Sequence, residues 1–239
     1  MANQVTTYET KNHSLSPHIS LYWRPPVLNL TQIILRGGFV EKKQKSSALR
    51  STIELIVLFL VVILGTQLLM HYVLSKDIVQ GTSMQPTLED GDRLYSVRNK
   101  AVHRNNIVVI DAPDKPGQLY IKRVIGMPGD TVAVKSGTLY INGKKQNQPY
   151  LKTKFMQNEL KAYAAQQGVA VGSLQFTTDF NIATLASTQS KTVPKGEYFV
   201  MGDNRLVSHD GRDFGFIAKD KVQSVVVWRY WPLNKMKVY

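Results

Sequence analysis

The sequence predicts a mainly β fold behind one apolar N-terminal segment, and three observations support this prediction. After residue 76, short runs rich in valine, isoleucine, tyrosine and phenylalanine recur, as in antiparallel sheets. Turns that contain glycine, proline, asparagine or aspartate separate these runs. Residues 55–74, in contrast, are almost uniformly apolar. The runs expected to form strands are RLYSV, NIVVIDA, LYIKRVIG, DTVAV, TLYING, EYFVMGD and VVVWRYWP.

Two local signals add detail to the predicted sheets. Asn142 and Gly143 predict a tight hairpin after TLYI, because both residue types tolerate a positive φ. Residues 153–167 are rich in helix formers and predict a helix. A polar stretch without a strand pattern follows this helix. We therefore expect residues 151–191 to form an insertion or cap between strands.

The apolar run LIVLFLVVILGTQLLMHYVL, residues 55–74, carries no formal charge. About twenty residues at 1.5 Å each cover the roughly 30 Å hydrocarbon core of a bilayer. The run therefore predicts a transmembrane helix, for which we expect the bounds 53–75. A buried helix of a soluble protein is the alternative. A cleaved signal peptide is disfavoured, because the preceding segment is long and no small-x-small site follows.

Basic residues flank the apolar run unevenly. Four of them lie between positions 42 and 50, whereas only Lys76, beside Asp77, follows the run closely. Because positive residues favour the cytoplasmic side, residues 1–52 are expected to be a cytoplasmic tail. Residues 76–239 are then an extracytoplasmic domain, and the protein is a single-pass protein of the plasma membrane.

The overall charge of +13 indicates an anionic partner, or simply a soluble, lysine-rich surface. The sequence has no zinc-finger spacing, basic helix or aromatic RNA-binding signature, so nucleic acid is not expected. Anionic lipid headgroups fit a membrane-anchored chain better. The absence of cysteine excludes disulfides, thiolate metal sites and cysteine nucleophiles.

Three segments carry residues suited to catalysis: QGTSMQPTLEDGD with Ser83, YIKRVIGMPGD with Lys122, and the loop MGDNRLVSHDGRDFG. By itself, Ser83 is either a turn residue or a nucleophile. A base for it could come from His209 beside Asp210, but neighbours on an extended chain point to opposite sides. Lys122 could be the base if burial lowered its pKa from about 10.4. Otherwise Lys122 is an edge-strand lysine that prevents aggregation.

The three segments, in this order behind an apolar anchor, resemble the bacterial type I signal peptidases, which are membrane-anchored Ser/Lys proteases. GTSMQPTL is similar to the nucleophile segment of that family, YIKRVIGMPGD to the general-base segment, and GDNRLVSHDGRDFG to a third motif. Ser-Met-x-Pro alone would be a weak signal. The order and the topology make the combination specific, and the resemblance covers the anchor and most of residues 76–239. It implies a signal-peptidase-like β fold for the catalytic domain.

The resemblance assigns roles to individual residues. It implies Ser83 as the nucleophile and Lys122 as the general base. Its supporting residues are Ser208, which orients the lysine amine by a hydrogen bond, the bracing pair Asp210 and Arg212, the loop residues Gly202 and Asn204, and Arg123. Val79, Met84 and Ile121, which flank the dyad in sequence, are expected to form the walls of shallow substrate pockets.

The sequence departs from the family pattern at two positions. Some members have an oxyanion-stabilising serine two residues before the nucleophile, where this chain has Gly81. Oxyanion stabilisation is then expected to depend on the Ser83 N–H and a second, unidentified donor. Gly211 replaces a serine that several members have. The segment 151–191 matches no motif.

The function implied is cleavage of signal peptides from exported preproteins after small-x-small sites, through an acyl-enzyme. No cofactor and no metal are expected. The expected partners are signal peptides, membrane lipids and the secretion translocon. Self-cleaving repressors of the SOS type have a similar Ser/Lys fold, but the apolar run and the absence of a helix-turn-helix disfavour them. A non-enzymatic, membrane-anchored binding or scaffold protein with a degenerate site is the alternative from another class.

Overall fold

A computed structural model describes residues 43–239, and the part of the predicted tail before residue 43 lies outside them. Helix α1 spans Lys43–Tyr72. Its segment Ser47–Tyr72 is long and apolar enough to cross a membrane by length and composition. The helix begins ten residues before the predicted segment 53–75 and ends three residues before its end.

The extension of α1 upstream of the apolar run has a local cause. The segment KQKSSALRST contains neither proline nor glycine, so nothing in it ends the helix. One turn along, Arg50 Nε lies 3.0 Å from Glu54 Oε1, an ion pair of the kind that supports an exposed helix. The polar start of the helix is therefore consistent with ordinary helix propensity.

The larger of two antiparallel sheets contains eight strands of the described chain. They are β1 (Leu74–Ile78), β2 (Arg93–Arg98), β3 (Ile107–Asp111), β4 (Leu119–Gly126), β9 (Glu197–Met201), β10 (Ile217–Ala218), β11 (Val222–Trp231) and β12 (Lys237–Val238). Their order is β1-β2-β11-β3-β4-β9-β10, and β12 pairs with β11. Strand β4 therefore lies in the interior of the sheet, between β3 and β9.

The smaller sheet has the order β7-β6-β5-β8. It consists of β5 (Val132–Lys135), β6 (Thr138–Ile141), β7 (Lys144–Lys145) and β8 (Phe180–Asn181). The turn between β6 and β7 confirms the predicted hairpin, since Asn142 and Gly143 have φ values of 52° and 73°. The predicted mainly β fold class is likewise confirmed.

Two further helices interrupt the strands. Helix α2 spans Thr153–Gln167, as predicted, and lies between β7 and β8 in the chain. It ends at Gly168, whose φ of 66° is the left-handed conformation that commonly terminates a helix. The short helix α3 spans Gly211–Phe214, inside the third motif.

Apolar clusters cover both faces of the larger sheet. On β3, Ile107 and Val109 belong to one cluster, and Val108 and Ile110 belong to another. Because successive side chains of a strand point to opposite faces, this division means that β3 is buried on both sides. It explains why the run NIVVID is continuously apolar. In β4, Lys122 lies opposite Val108, in the same buried region.

Candidate active site

Ser83 lies in the loop that joins β1 to β2, at one edge of the larger sheet. Met84 and Leu88 anchor this loop, since both side chains are fully buried in an apolar cluster on the sheet. Hydrogen bonds of 3.0 Å from the N–H groups of Thr87 and Leu88 to the Met84 carbonyl tighten the turn after the serine. The half-buried Ser83 is therefore held by a well-anchored turn.

Lys122 contacts Ser83 directly, because its Nζ donates a hydrogen bond of 3.1 Å to Ser83 Oγ. The lysine is only 4% exposed, since its strand β4 is an interior strand. Burial destabilises the ammonium and lowers the pKa of Lys122 to about 8, although the nearby Asp210 carboxylate opposes this effect. A lysine with such a pKa has a substantial neutral fraction near neutral pH and can accept a proton.

The histidine of the third motif does not supply a base to Ser83. His209 Nε2 lies 3.0 Å from Asp114 Oδ2, and its Nδ1 lies 3.5 Å from Asp213 Oδ2. Its side chain is about half exposed, and within residues 43–239 no histidine forms a hydrogen bond with Ser83 Oγ. The Ser–His alternative that the sequence left open is therefore not formed.

Asp210 organises the third motif around its buried carboxylate. This carboxylate accepts hydrogen bonds from the Gly202 N–H at 2.9 Å, from the Arg212 N–H at 3.1 Å and from the Arg212 guanidinium at 2.9 Å. Burial alone would raise the pKa of Asp210, but the bonds from Arg212 and Gly202 hold it below its ordinary value. Together with Asp213, Asp210 also forms a capping box at the start of α3. Asp210 and Arg212 are therefore directly paired, and their bracing role in catalysis stays a prediction.

Gly202 and Ser208 are packed against each other beside the nucleophile. A Cβ at Gly202 would overlap Ser208 Oγ and would lie 2.6 Å from the Ser83 carbonyl oxygen, so only glycine fits here. The predicted hydrogen bond from Ser208 to Lys122 is not formed. The buried Ser208 Oγ has no hydrogen-bond partner in the described chain, and the Lys122 amine donates to Ser83.

Asn204 holds the nucleophile through its backbone. Its N–H donates a hydrogen bond of 3.0 Å to the Ser83 carbonyl, and its own carbonyl accepts one of 3.0 Å from the Ser208 N–H. Its side-chain Nδ2 donates to Glu159 Oε2 of helix α2 at 2.9 Å. Asn204 therefore does more than shape the loop, since it connects Ser83, Ser208 and α2.

Arg123 is buried next to Lys122 in sequence and is paired with Asp203. Its Nη2 and Nε lie 2.6 and 2.8 Å from the two carboxylate oxygens, and its guanidinium lies 4.0 Å from the centre of the Tyr150 ring. Burial would lower the pKa of Arg123, but Asp203 raises it. The pair fixes the start of the third motif against β4, which gives Arg123 a bracing role.

A cleft of about 630 Å³ opens beside the dyad. Its walls are formed by residues 76–80, at the end of β1 and just after it, and by residues 118–122, at the start of β4. The three predicted pocket residues Val79, Met84 and Ile121 all line it, together with Ser83 and Lys122. Val79 and Met84 are almost fully buried, so each contributes only a small surface to the cleft.

The oxyanion donors expected at the nucleophile can be partly identified. Within the described chain, the Ser83 N–H has no hydrogen-bond partner, so it is free to donate to a substrate. The Gly81 N–H is not free, because it donates to Asp90 Oδ1 at 2.7 Å. No second oxyanion donor follows from these contacts.

Sequence reasoning missed three residues that hold this site. Asp203, inside the third motif, is the partner of Arg123. Arg205, which is 2% exposed, bonds the Gly202 carbonyl at 2.9 Å and Gln148 Oε1 at 2.6 Å. Glu159 reaches Asn204 from a segment without a motif. One sequence feature could have pointed to Glu159, because it is a charged residue on the helix face formed by Phe155, Met156, Leu160 and Tyr163.

Comparisons with known proteins identify the family of this chain. Residues 50–231 match the model of the family described as signal peptidase, peptidase S26. The chain is 37% identical over 172 residues to signal peptidase IB of Staphylococcus aureus (strain Mu50), covering 70% of this chain and 82% of the relative. It is 39% identical over 184 residues to signal peptidase I T of Bacillus subtilis (strain 168), covering 74% and 84%.

Among solved structures, a signal peptidase I from Enterococcus faecalis V583 is 40% identical, with a TM-score of 0.44, and the match covers 53% of this chain and 97% of that one. The family resemblance and the enzyme class expected from the three segments are confirmed by the family match and by the curated relatives. The chain belongs to the signal peptidase family, peptidase S26.

Proposed function

We propose that this protein is a signal peptidase I that removes N-terminal signal peptides from exported preproteins, with Ser83 as nucleophile and Lys122 as general base. The observation that carries this proposal is the distance of 3.1 Å between Lys122 Nζ and Ser83 Oγ, combined with the burial of the lysine. The names of the relatives from Staphylococcus aureus and Bacillus subtilis support the same substrate class.

The proposed reaction begins when neutral Lys122 takes the proton of the Ser83 hydroxyl. As this proton leaves, Ser83 Oγ bonds to the scissile carbonyl carbon. The lysine ammonium then returns the proton to the leaving amine, the C–N bond breaks, and an ester to Ser83 remains. In the second half, Lys122 takes a proton from water, the hydroxide attacks the ester, and the proton returns to Ser83 Oγ. The Ser83 N–H is free to stabilise the oxyanion in both halves.

The cleft beside the dyad supports a preference for small side chains before the scissile bond. A peptide in extended form between residues 76–80 and 118–122 would direct alternate side chains toward the same wall. With Val79, Met84 and Ile121 forming shallow walls, small residues at the first and third positions before the cleaved bond fit best. This arrangement corresponds to a small-x-small rule.

Membrane anchoring through α1 is the second part of the proposal. Ser83 follows the end of α1 at Tyr72 by eleven residues, which span at most about 40 Å when fully extended. This short connection keeps Ser83 near the bilayer, as cleavage of a membrane-held signal peptide just outside the membrane would require. We place the N-terminus in the cytoplasm and residues 76–239 outside, with membrane lipids as partners and the translocon as a neighbour during export.

Two substitutions test the dyad in membrane vesicles that contain a preprotein substrate. Ser83→Ala and Lys122→Ala should each lower the cleavage rate by at least roughly 10³-fold, because each removes a reacting group. The controls Ser173→Ala and Lys135→Ala change exposed residues outside the site and should cleave normally. A penem that acylates serine nucleophiles should label the native enzyme at Ser83. Near-normal cleavage by either dyad variant, or no labelling, would contradict the proposal and favour a non-enzymatic scaffold.

Membrane orientation has its own test. Protease added outside intact, right-side-out vesicles should digest the catalytic domain, and an N-terminal epitope tag should become accessible only after lysis. The reverse pattern would contradict the topology without affecting the dyad.

A further inference from the structure

Residues 151–191, the segment that matches no motif, make direct polar contacts with the third motif. Glu159 Oε2 accepts a hydrogen bond from Asn204 Nδ2 at 2.9 Å. Ser187 Oγ donates to the Arg212 carbonyl at 2.9 Å. Buried Arg205 lies 3.5 Å from Thr177 Oγ1. The segment therefore touches the third motif at three separate points.

The contact at Glu159 differs from the other two because it leads to the nucleophile in two steps. Glu159 holds the side chain of Asn204, and the Asn204 N–H donates to the carbonyl of Ser83 at 3.0 Å. Asn204 is 1% exposed, and its Oδ1 has no hydrogen-bond partner in the described chain. The bond to Glu159 is therefore the one side-chain hydrogen bond that fixes the orientation of this amide.

The placement of Glu159 on α2 is unusual for a carboxylate. Residues 155, 156, 160, 163 and 164 are the partly or fully buried residues of the same helix face, and all of them are apolar or aromatic. Glu159 is itself partly buried on this face, and partial desolvation of a carboxylate is unfavourable unless a hydrogen-bond partner compensates for it. Asn204 is that partner, so the position of Glu159 is best explained by this contact.

From these contacts we infer that Glu159 is a positioning residue for catalysis, which aligns Ser83 through Asn204. This inference rests on the dyad proposed above. The Ser83 carbonyl and N–H belong to the two peptide units that define the backbone of residue 83. Fixing the carbonyl restrains ψ of Ser83, and so limits the backbone movements that would displace Oγ from Lys122 and turn the free N–H away from the oxyanion. Small displacements of reacting groups have large effects on rate, so a loss of this bond should lower kcat.

The inference is tested by Glu159→Ala and Glu159→Gln in the full-length protein. Glutamine keeps a carbonyl oxygen that accepts the bond from Asn204 Nδ2, whereas alanine has no acceptor. For Glu159→Ala we expect about a tenfold loss of kcat with KM within about twofold of the native value, because the cleft does not contain Glu159. Acylation of Ser83 by a penem should slow by a similar factor. Glu159→Gln should restore both rates to within about twofold of the native protein.

Gln157→Ala, on the exposed face of the same helix, is the matched control and should leave kcat unchanged. Thermal unfolding of every variant shows whether α2 remains folded. A native kcat for Glu159→Ala would overturn the inference, and so would a Glu159→Gln variant as slow as the alanine variant. If Glu159→Ala does not fold, Glu159→Gln and Glu159→Asp test the inference instead. The shorter aspartate should lower kcat and glutamine should not, and any other result would overturn the inference. Activity retained in Ser83→Ala would instead refute the proposed function itself.

Discussion

The buried position of Lys122 predicts a specific pH dependence of cleavage. In the proposed mechanism Lys122 acts as a base only when neutral, so the rate should rise with pH through its pKa of about 8. With this pKa, about one tenth of the enzyme is active at pH 7 and about nine tenths at pH 9, which gives roughly a tenfold rise. With an unperturbed lysine, only about 0.04% would be neutral at pH 7, and the rate would still increase about tenfold per pH unit at pH 9.

The assay is the initial rate of preprotein cleavage between pH 6 and 10, at constant ionic strength and with substrate well below KM. A flat profile, or a rate that continues to rise tenfold per pH unit beyond pH 9.5, would refute the reasoning.

The Asp210–Arg212 pair makes the test more specific, because Asp210 raises the pKa of Lys122 and Arg212 lowers it. Asp210→Asn should move the midpoint to lower pH, and Arg212→Gln should move it to higher pH. General damage to the site would not produce shifts of opposite sign.

Two predictions concern stability. The pKa of Lys122 is about 8 in the folded protein and near 10.4 in the unfolded chain, so burying its ammonium lowers the free energy of unfolding by about 3 kcal/mol. This destabilisation is present in full below pH 8 and disappears above pH 10.4. Lys122→Met should therefore raise the Tm at pH 7, measured by circular dichroism in detergent. It should also abolish the increase of stability that the native protein shows between pH 8 and 10. An unchanged Tm would contradict this prediction. Gly202→Ala should lower stability by about 1–3 kcal/mol and lower activity, because its Cβ overlaps Ser208 Oγ. Gly172→Ala, whose Cβ meets open space, is the control and should behave like the native protein.

Much of the fold could be predicted because the signals for it are local. The apolar runs, the Asn142–Gly143 turn and the helix formers of residues 153–167 each specify a structure within a few residues. The strand Leu74–Ile78 could not be predicted in this way. Its sequence, LSKDI, has no strand pattern, and it is extended because it pairs with β2. That pairing also explains why the helix ends at Tyr72, before the predicted boundary.

The site, like the fold, has parts that local sequence predicts and parts that it does not. The residues of the three segments could be named from short motifs, and Lys122 Nζ does lie within hydrogen-bond distance of Ser83 Oγ. The contacts that support these residues depend on distant parts of the chain. Glu159 and Asn204 are 45 residues apart, and Arg205 and Gln148 are 57 residues apart. Such pairs leave no local pattern, so only the folded chain reveals them.

Gly81 stands where some family members have a serine whose hydroxyl stabilises the oxyanion, and its absence bears on the role inferred for Glu159 of α2. Its φ of 82° lies in the left-handed region, where a side chain adds roughly 1–2 kcal/mol of strain. A serine placed here would therefore strain the turn that presents the nucleophile. The Gly81 N–H cannot replace the missing hydroxyl as a donor, because it donates to Asp90. With no hydroxyl at this position, oxyanion stabilisation depends more heavily on the direction of the Ser83 N–H. In the proposed mechanism, the bond from the Asn204 N–H to the Ser83 carbonyl restrains the backbone that carries this donor, and Glu159 holds the Asn204 side chain.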